Sequence, residues 1–335
     1  MTYKDLLVAM AVGYEVSISI AIALGVSSWH RGFHNTSVAG IFGAVAAIAK
    51  IRQLDPSTVT NALGLTVSFA SGSMQYLSNG SWNKRLHPAK AAHDAFLTIA
   101  LAEAGTLGAA EPIEGKFGLI NAHTDQPITQ VNVDDLGKRW DLLDVGLKPY
   151  PACRVTHTSI ELAALLSQDQ STPVQSIHVV MDPAPWPMVA DPTPQKVHPK
   201  DVDAQFSAYY QIAATWLHGD QQGWAIYDHI QDPAVQDLCG KITIESKVLD
   251  PNNDLVTSMT VKLQGANGEE VREKTLLQPK WQQPERPPQY EEVVTKFKSL
   301  TLNTMGEEKA REVIQFVSAP VQTKVGELMM LLASK

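Results

Sequence analysis

Two short basic stretches carry the side chains best suited to chemistry: Trp29-His30-Arg31-Gly32-Phe33-His34 and Asn83-Lys84-Arg85-Leu86-His87. Histidine, lysine and arginine crowd together nowhere else in the first hundred residues. Arginine offers a carboxylate a bidentate fork, lysine a mobile point charge, and histidine a proton shuttle near neutrality. Abstracting a proton beside a carboxylate, or expelling CO2 or water from a polyacid, needs such a set, because the surrounding cations hold the developing enolate-like charge. Either stretch alone reads equally well as wet surface. Two of them, each framed by Ala-rich helical runs, point to a site for a small di- or tricarboxylate.

Other constellations are thinner. His30 and His34 are four apart and His87 and His93 six apart, but neither an HExxH pattern nor a cysteine pair accompanies them, so no metal site is read. Cys153 and His157 also stand four apart. Nothing in the sequence supplies an oxyanion hole or an orienting third group, so Cys153 reads as a small buried filler rather than a nucleophile. Glu15 reads as a helix-face carboxylate, and His93 as a helix residue outside the site. No Rossmann glycine pattern and no phosphate loop occur, and no organic cofactor is expected.

The elements that must position these residues follow from the rest of the chain. Its 335 residues suffice for two domains. A composition 44% hydrophobic and 19% charged excludes a disordered chain. The net charge of −8 argues against a nucleic-acid partner. That charge is uneven, +3 over residues 1–100 and −11 over the remainder, and a locally positive lobe suits a small anionic ligand. Two cysteines, Cys153 and Cys239, make no disulfide scaffold. With no leader pattern at the start, they favour a reducing, cytoplasmic setting. Residues 6–26 are apolar enough to raise the question of a membrane span. Tyr14, Glu15 and three serines interrupt them, so a buried helix and no membrane are expected.

Helices are expected from an Asp5 cap to about Leu24, ended by Gly25, then over 38–51, over 56–70 behind the Asp55-Pro56 start signal, and from Pro88 to Ala104. Gly13 inside the first costs about 1 kcal/mol against alanine unless close packing needs it. The small-residue run over 38–51 describes a central helix packed on several sides. Residues 158–167 and 202–218 read as helices, 176–181, 241–249, 255–264 and 270–277 as strands. Ala266-Asn267-Gly268 reads as a hairpin turn, and 182–199, with six prolines, as an irregular loop. The division is therefore 1–139 helical, 140–278 α+β, and a proline-rich connector over 279–288 leading to a helical return within 279–335.

Five segments in order carry a more specific signal. Gly13-Tyr14-Glu15-Val16, Arg31-Gly32-Phe33-His34, Lys84-Arg85-Leu86-His87-Pro88-Ala89-Lys90-Ala91-Ala92-His93, Lys148-Pro149-Tyr150-Pro151-Ala152-Cys153-Arg154-Val155-Thr156-His157 and Ala204-Gln205-Phe206-Ser207-Ala208-Tyr209-Tyr210 together resemble the successive signatures of the MmgE/PrpD family. That family includes 2-methylcitrate dehydratase, cis-aconitate decarboxylase and iminodisuccinate epimerase. The resemblance implies a mainly α helical domain built from both chain ends with an inserted α+β lid domain, a pocket between them, homodimers, and no metal or organic cofactor. It implies His34, Lys84 and Tyr210 as catalytic residues, and Arg31, Arg85, His87, Cys153 and His157 as substrate-binding ones. It also implies about a hundred further residues before the first helix here, carrying an active-site aspartate and histidine. The expectation is that a second polypeptide supplies them, or that this chain is a non-catalytic subunit that binds a carboxylate. Apolar faces over 6–24 and 38–51 should then be left exposed, favouring a homo-oligomer or hetero-complex. Dehydration, decarboxylation and epimerisation remain equally open, since they differ in where a proton is delivered.

Overall fold

The computed structural model describes residues 1–125, 135–167, 172–265, 268–282 and 287–333. The chain divides into two units, Met1–Val145 with Arg311–Lys335, and Gly146–Ala310. The first is helical and built from both chain ends; the second is the α+β insertion.

In the first unit α1 spans Tyr3–His30. Its cap is Thr2 rather than Asp5: the Thr2 hydroxyl accepts the Asp5 N–H at 3.2 Å and the Asp5 carboxylate accepts the Thr2 N–H at 2.7 Å, a reciprocal pair that satisfies two helix-end donors. Gly25 breaks the helical geometry with φ +57°, and the helix then resumes to His30. A short turn α2, Asn35–Val38, leads into α3, Gly40–Arg52. Helix α4, Pro56–Thr66, starts as expected on Asp55, whose side chain accepts the Ser57 and Thr58 N–H groups. Helix α5 spans Asn83–Glu103 and α6 Leu119–His123.

Helix α3 is the centre of this unit, with Ile41, Phe42, Val45 and Ala49 buried against α1, α4 and α5. The apolar face expected to lie open over 38–51 is therefore covered, Ile51 being its one large exposed apolar residue. Helices α1 and α3 meet at glycines. A Cβ on Gly43 would fall 2.3 Å from the Gly13 carbonyl oxygen, and one on Gly13 2.9 Å from that of Gly43, so Gly13 answers to close packing. Helix α1 is half-covered, not buried as expected. By length and composition it could cross a bilayer, and Leu7, Val8, Met10, Ile22 and Val26 are exposed along it. Glu15 is structural: its two oxygens accept the N–H groups of Asp141 and Leu142, each at 3.2 Å.

The second unit holds α7 (His157–Leu166), α8 (Trp186–Val189), α9 (Pro194–Val197), α10 (Ala208–His218) and α11 (Pro233–Cys239). Its strands are β1 (Val174–Met181), β2 (Ile242–Ser246), β3 (Thr257–Gly265) and β4 (Gly268–Leu276), in the order β2-β1-β3-β4. Strand β1 runs parallel to β2 and antiparallel to β3, and β3 pairs antiparallel with β4. Alternate residues Ile177, Val179, Met181, Met259, Val261 and Leu263 point into the core with α7 and α10, the period-two burial of a sheet covered on one side. The 182–199 stretch is less irregular than its prolines imply, because α8 and α9 each take a proline into the first turn, where no intrahelical N–H is forfeited. Ala266 and Asn267 of the expected hairpin turn, and 283–286 of the connector, lie outside the described residues.

Helix α12, Tyr290–Ser318, is broken at Gly306 (φ +75°), and α13 spans Val325–Ala333. The last residues close the first unit. The Tyr3 and Lys4 N–H groups donate to the carbonyls of Thr323 and Val321, both at 2.8 Å, and the rings of Tyr3 and Phe316 meet edge-on. The expected return of 279–335 as one block is corrected: 279–310 group with the insertion. Lys280 pairs with Asp220 at 3.2 Å, Gln282 accepts from Arg154 at 2.6 Å, and Gly223 abuts Ser299 so closely that a Cβ would stand 2.3 Å from the Ser299 carbonyl.

Candidate active site

The two basic stretches meet through backbone first. His34 N–H donates to Gly72 O at 2.9 Å and Met74 N–H to Gly32 O at 2.8 Å, so the 32–34 and 72–74 strips lie side by side. Gly72 holds φ at +148°, and a Cβ there would stand 2.9 Å from that of Ser37; only glycine lets the strip approach this closely. The second stretch is not a loop. Helix α5 begins at Asn83 and takes in Pro88, near enough to its start that the proline forfeits one intrahelical bond at most. Lys84, Arg85 and His87 therefore project from a rigid first turn and a half.

Packing of α5 against α3 brings His87 onto His34. The two Nδ1 atoms are 2.8 Å apart with the rings tilted at 45°. His34 is 9% and His87 8% exposed. Tyr76, itself buried, lies edge-on to both rings, 5.7 and 5.9 Å between centroids, and the Lys84 Nζ stands 5.8 Å from the centre of the Tyr76 ring. The Ser37 hydroxyl donates to the His87 carbonyl at 3.4 Å. Burial, then the charges of Lys84 and His87, pull the His34 imidazole down to about 4. Burial, then Lys90 and Lys84, lower His87 as well. Both rings are held neutral at neutral pH.

A hydrogen bond between two Nδ1 atoms fixes complementary tautomers. The donating ring carries its proton on Nδ1 and has a lone pair on Nε2; the accepting ring carries its proton on Nε2. The pair thus offers one basic and one acidic Nε2 at once, with a proton path between them. Tyr76 and Gly72 are the residues that sequence reasoning passed over. Their place beside the histidines comes from the fold.

Of the other expected residues, Arg31 and Arg85 lie in the first unit and Tyr210, Cys153 and His157 in the second. Arg31 pairs with Asp125, and the Arg85 guanidinium lies over the Trp82 ring at 5.0 Å. In the second unit Tyr210 is fully buried within α10, its hydroxyl donating to the Ile226 carbonyl and its ring stacked on Tyr227. Burial first, then Tyr227, raises its phenol. The Tyr210 hydroxyl, expected to be catalytic, is engaged with backbone inside the core of the second unit. His157 is likewise enclosed, Nε2 lying 3.3 Å from the Ala152 carbonyl and the ring edge-on to Tyr150. Burial, then Lys148, draws it down to about 3. Cys153 is half-buried with its Sγ 3.8 Å from the Met188 sulfur, the filler its sequence context implies. Within the first unit His34, His87 and Lys84 are thus brought together, while Arg31 is turned to Asp125; Tyr210, Cys153 and His157 belong to the second unit. His93 is exposed and bonded to Asp94 at 2.9 Å, away from this contact.

The chain is 23% identical over 93% of its length to a cis-aconitate decarboxylase of Aspergillus terreus, covering 67% of that protein. It is 26% identical over 72% of its length to the cis-aconitate decarboxylase of Mus musculus, covering 50% of it. With a cis-aconitate decarboxylase-like protein of Aspergillus oryzae the match is 28% over 49% of this chain and 36% of the relative. The chain thus spans from about a third to two thirds of the length of these curated relatives. Residues 1–131 match the MmgE/PrpD N-terminal domain and residues 150–319 the MmgE/PrpD C-terminal domain, so the chain belongs to the MmgE/PrpD family.

Proposed function

We propose that this chain is a proton-transfer lyase for a small di- or tricarboxylic acid, working as an oligomer or as one subunit of a larger enzyme. The observation that carries the reading is the buried Nδ1-to-Nδ1 contact of His34 and His87 beside Lys84. Loss of water from such an acid takes one proton from carbon and gives one to the leaving hydroxyl. Loss of CO2 from an unsaturated acid delivers one proton to carbon as the carboxylate departs. The paired tautomers serve either route. The names of the relatives favour decarboxylation as the first to assay.

Lys84 has two parts in this scheme. It anchors a substrate carboxylate, and it holds the negative charge that develops on the reacting carbon framework. Its charge also depresses His34, so a bound carboxylate, by neutralising that charge, lifts the imidazole toward the range where a base works best. Exposed apolar residues along α1 support the assembled state.

The test is turnover of cis-aconitate and of 2-methylcitrate followed by proton NMR, with wild type and His34→Ala in parallel. Expected is CO2 or water loss from at least one acid by the wild type, lost in the variant. Turnover of neither acid, with neither raising the melting temperature, sinks the reading.

A further inference from the structure

We propose that His218, His229 and Asp232 bind one first-row divalent transition metal ion, zinc being the best match. The three donors come from three adjoining pieces of the second unit: the last residue of α10, the last residue of the 3-10 helix Gly223–His229, and the cap of α11. Their ligand atoms all lie within 4.8 Å of one another. Tetrahedral zinc, at about 2.0–2.1 Å from nitrogen and oxygen, sets its ligands about 3.3 Å apart. His218 Nε2 and Asp232 Oδ2 already stand at 3.4 Å. All three residues are half-buried, open enough for an ion to enter.

Two further features point to a ligand. His218 Nε2 is a buried polar atom that makes no hydrogen bond, its contact with Asp232 being an ion pair only, and such atoms are few in a folded protein. Asp232 is also pre-set from behind. Its Oδ1 accepts the Ala234 N–H at 2.8 Å, which leaves Oδ2 for the histidines, backing of the kind that orients ligands in metal sites. The Asp232 N–H closes a turn onto the His229 carbonyl at 3.0 Å. The two imidazoles stack at 3.6 Å, 7° from parallel, so their lone pairs lie in parallel planes and one ring must turn for both to reach the same ion. Two imidazoles and one carboxylate suit zinc, and copper or nickel less selectively, and three protein ligands leave a coordination position open to water. No residue is shared with the His34–His87 contact, so the inference stands apart from the proposed lyase.

The test is isothermal titration of tag-free, chelator-stripped protein with Zn2+, with Co2+ absorption as a second readout. One equivalent is expected to bind. His218→Ala, His229→Ala and Asp232→Asn should each weaken it at least about tenfold, with far-UV circular dichroism showing that each variant is folded, while His87→Ala binds as wild type. Absence of stoichiometric binding, or binding unchanged in the folded variants, or binding lost in His87→Ala, overturns the proposal.

Discussion

The molecule holds two histidine pairs that use the same side chain in opposite ways. His34 and His87 come from positions 53 apart, touch nitrogen to nitrogen, are buried, and have the cations Lys84 and Lys90 for company. His218 and His229 come from neighbouring turns, stack face to face, are half-exposed, and have the carboxylate of Asp232 beside them. Cations around an imidazole keep it neutral and draw an anionic substrate to it; a carboxylate beside it completes a ligand set for a cation. The charge of the surroundings, more than the histidines, assigns the chemistry.

The largest effect that can break this comparison is on turnover. Lys84→Met should lower kcat/KM by about a hundredfold or more, the loss expected when an electrostatic anchor of the transition state is removed. Lys84→Arg should fail as well, since a planar fork replaces a compact point charge. Zinc binding in the second unit should be untouched by either. Turnover equal to wild type in both variants would remove the cationic surroundings from the account of the first pair.

The second effect is on stability. The His34–His87 contact depends on elements distant in sequence, and those elements depend on α1 and α3 crossing at glycines. Gly43→Ala places a Cβ against the Gly13 carbonyl and the Ser17 side chain, and overpacking of this kind costs about 1–3 kcal/mol. A lowered urea midpoint with unchanged slope is expected, with turnover at room temperature falling because the pair is assembled by that packing. The stacked pair, held by local turns, should keep its zinc affinity.

The sequence made the helical half and its basic stretches legible because capping signals and small-residue helices are local. Asp55-Pro56 places the start of α4, the alternation in 176–181 lies inside β1, and that in 255–264 falls in β3 from Thr257 on. What was not legible is tertiary. Pro88 reads as a helix start, yet α5 begins five residues earlier because a proline near a helix start costs one bond only. Tyr76 has no periodic neighbour to announce it. Tyr210 carries the family signature, but a run in which nearly every residue of α10 is buried put its hydroxyl in the core. His218, His229 and Asp232 have a spacing that matches no short metal motif, so only the fold assembles them.

The smallest effect, and the most specific, is on proton binding at His34. Its imidazole titrates at about 4 in the folded protein against an ordinary value of 6.5. Between those two values the unfolded chain binds a proton that the folded one refuses, so the folded state loses stability as pH falls from 6.5 toward 4, with no further loss from this group below that. His87 and His157, also lowered, act in the same sense. His34→Gln, which cannot take up a proton, should flatten the slope of unfolding free energy against pH in that window without abolishing it. Lys84→Met should raise the His34 value measured by imidazole NMR, because one cation is gone, yet leave it below 6.5, because burial is the larger cause and remains. A His34 titration unchanged by loss of Lys84 would mean that burial alone keeps the ring neutral. A bound carboxylate could then not retune it through that lysine.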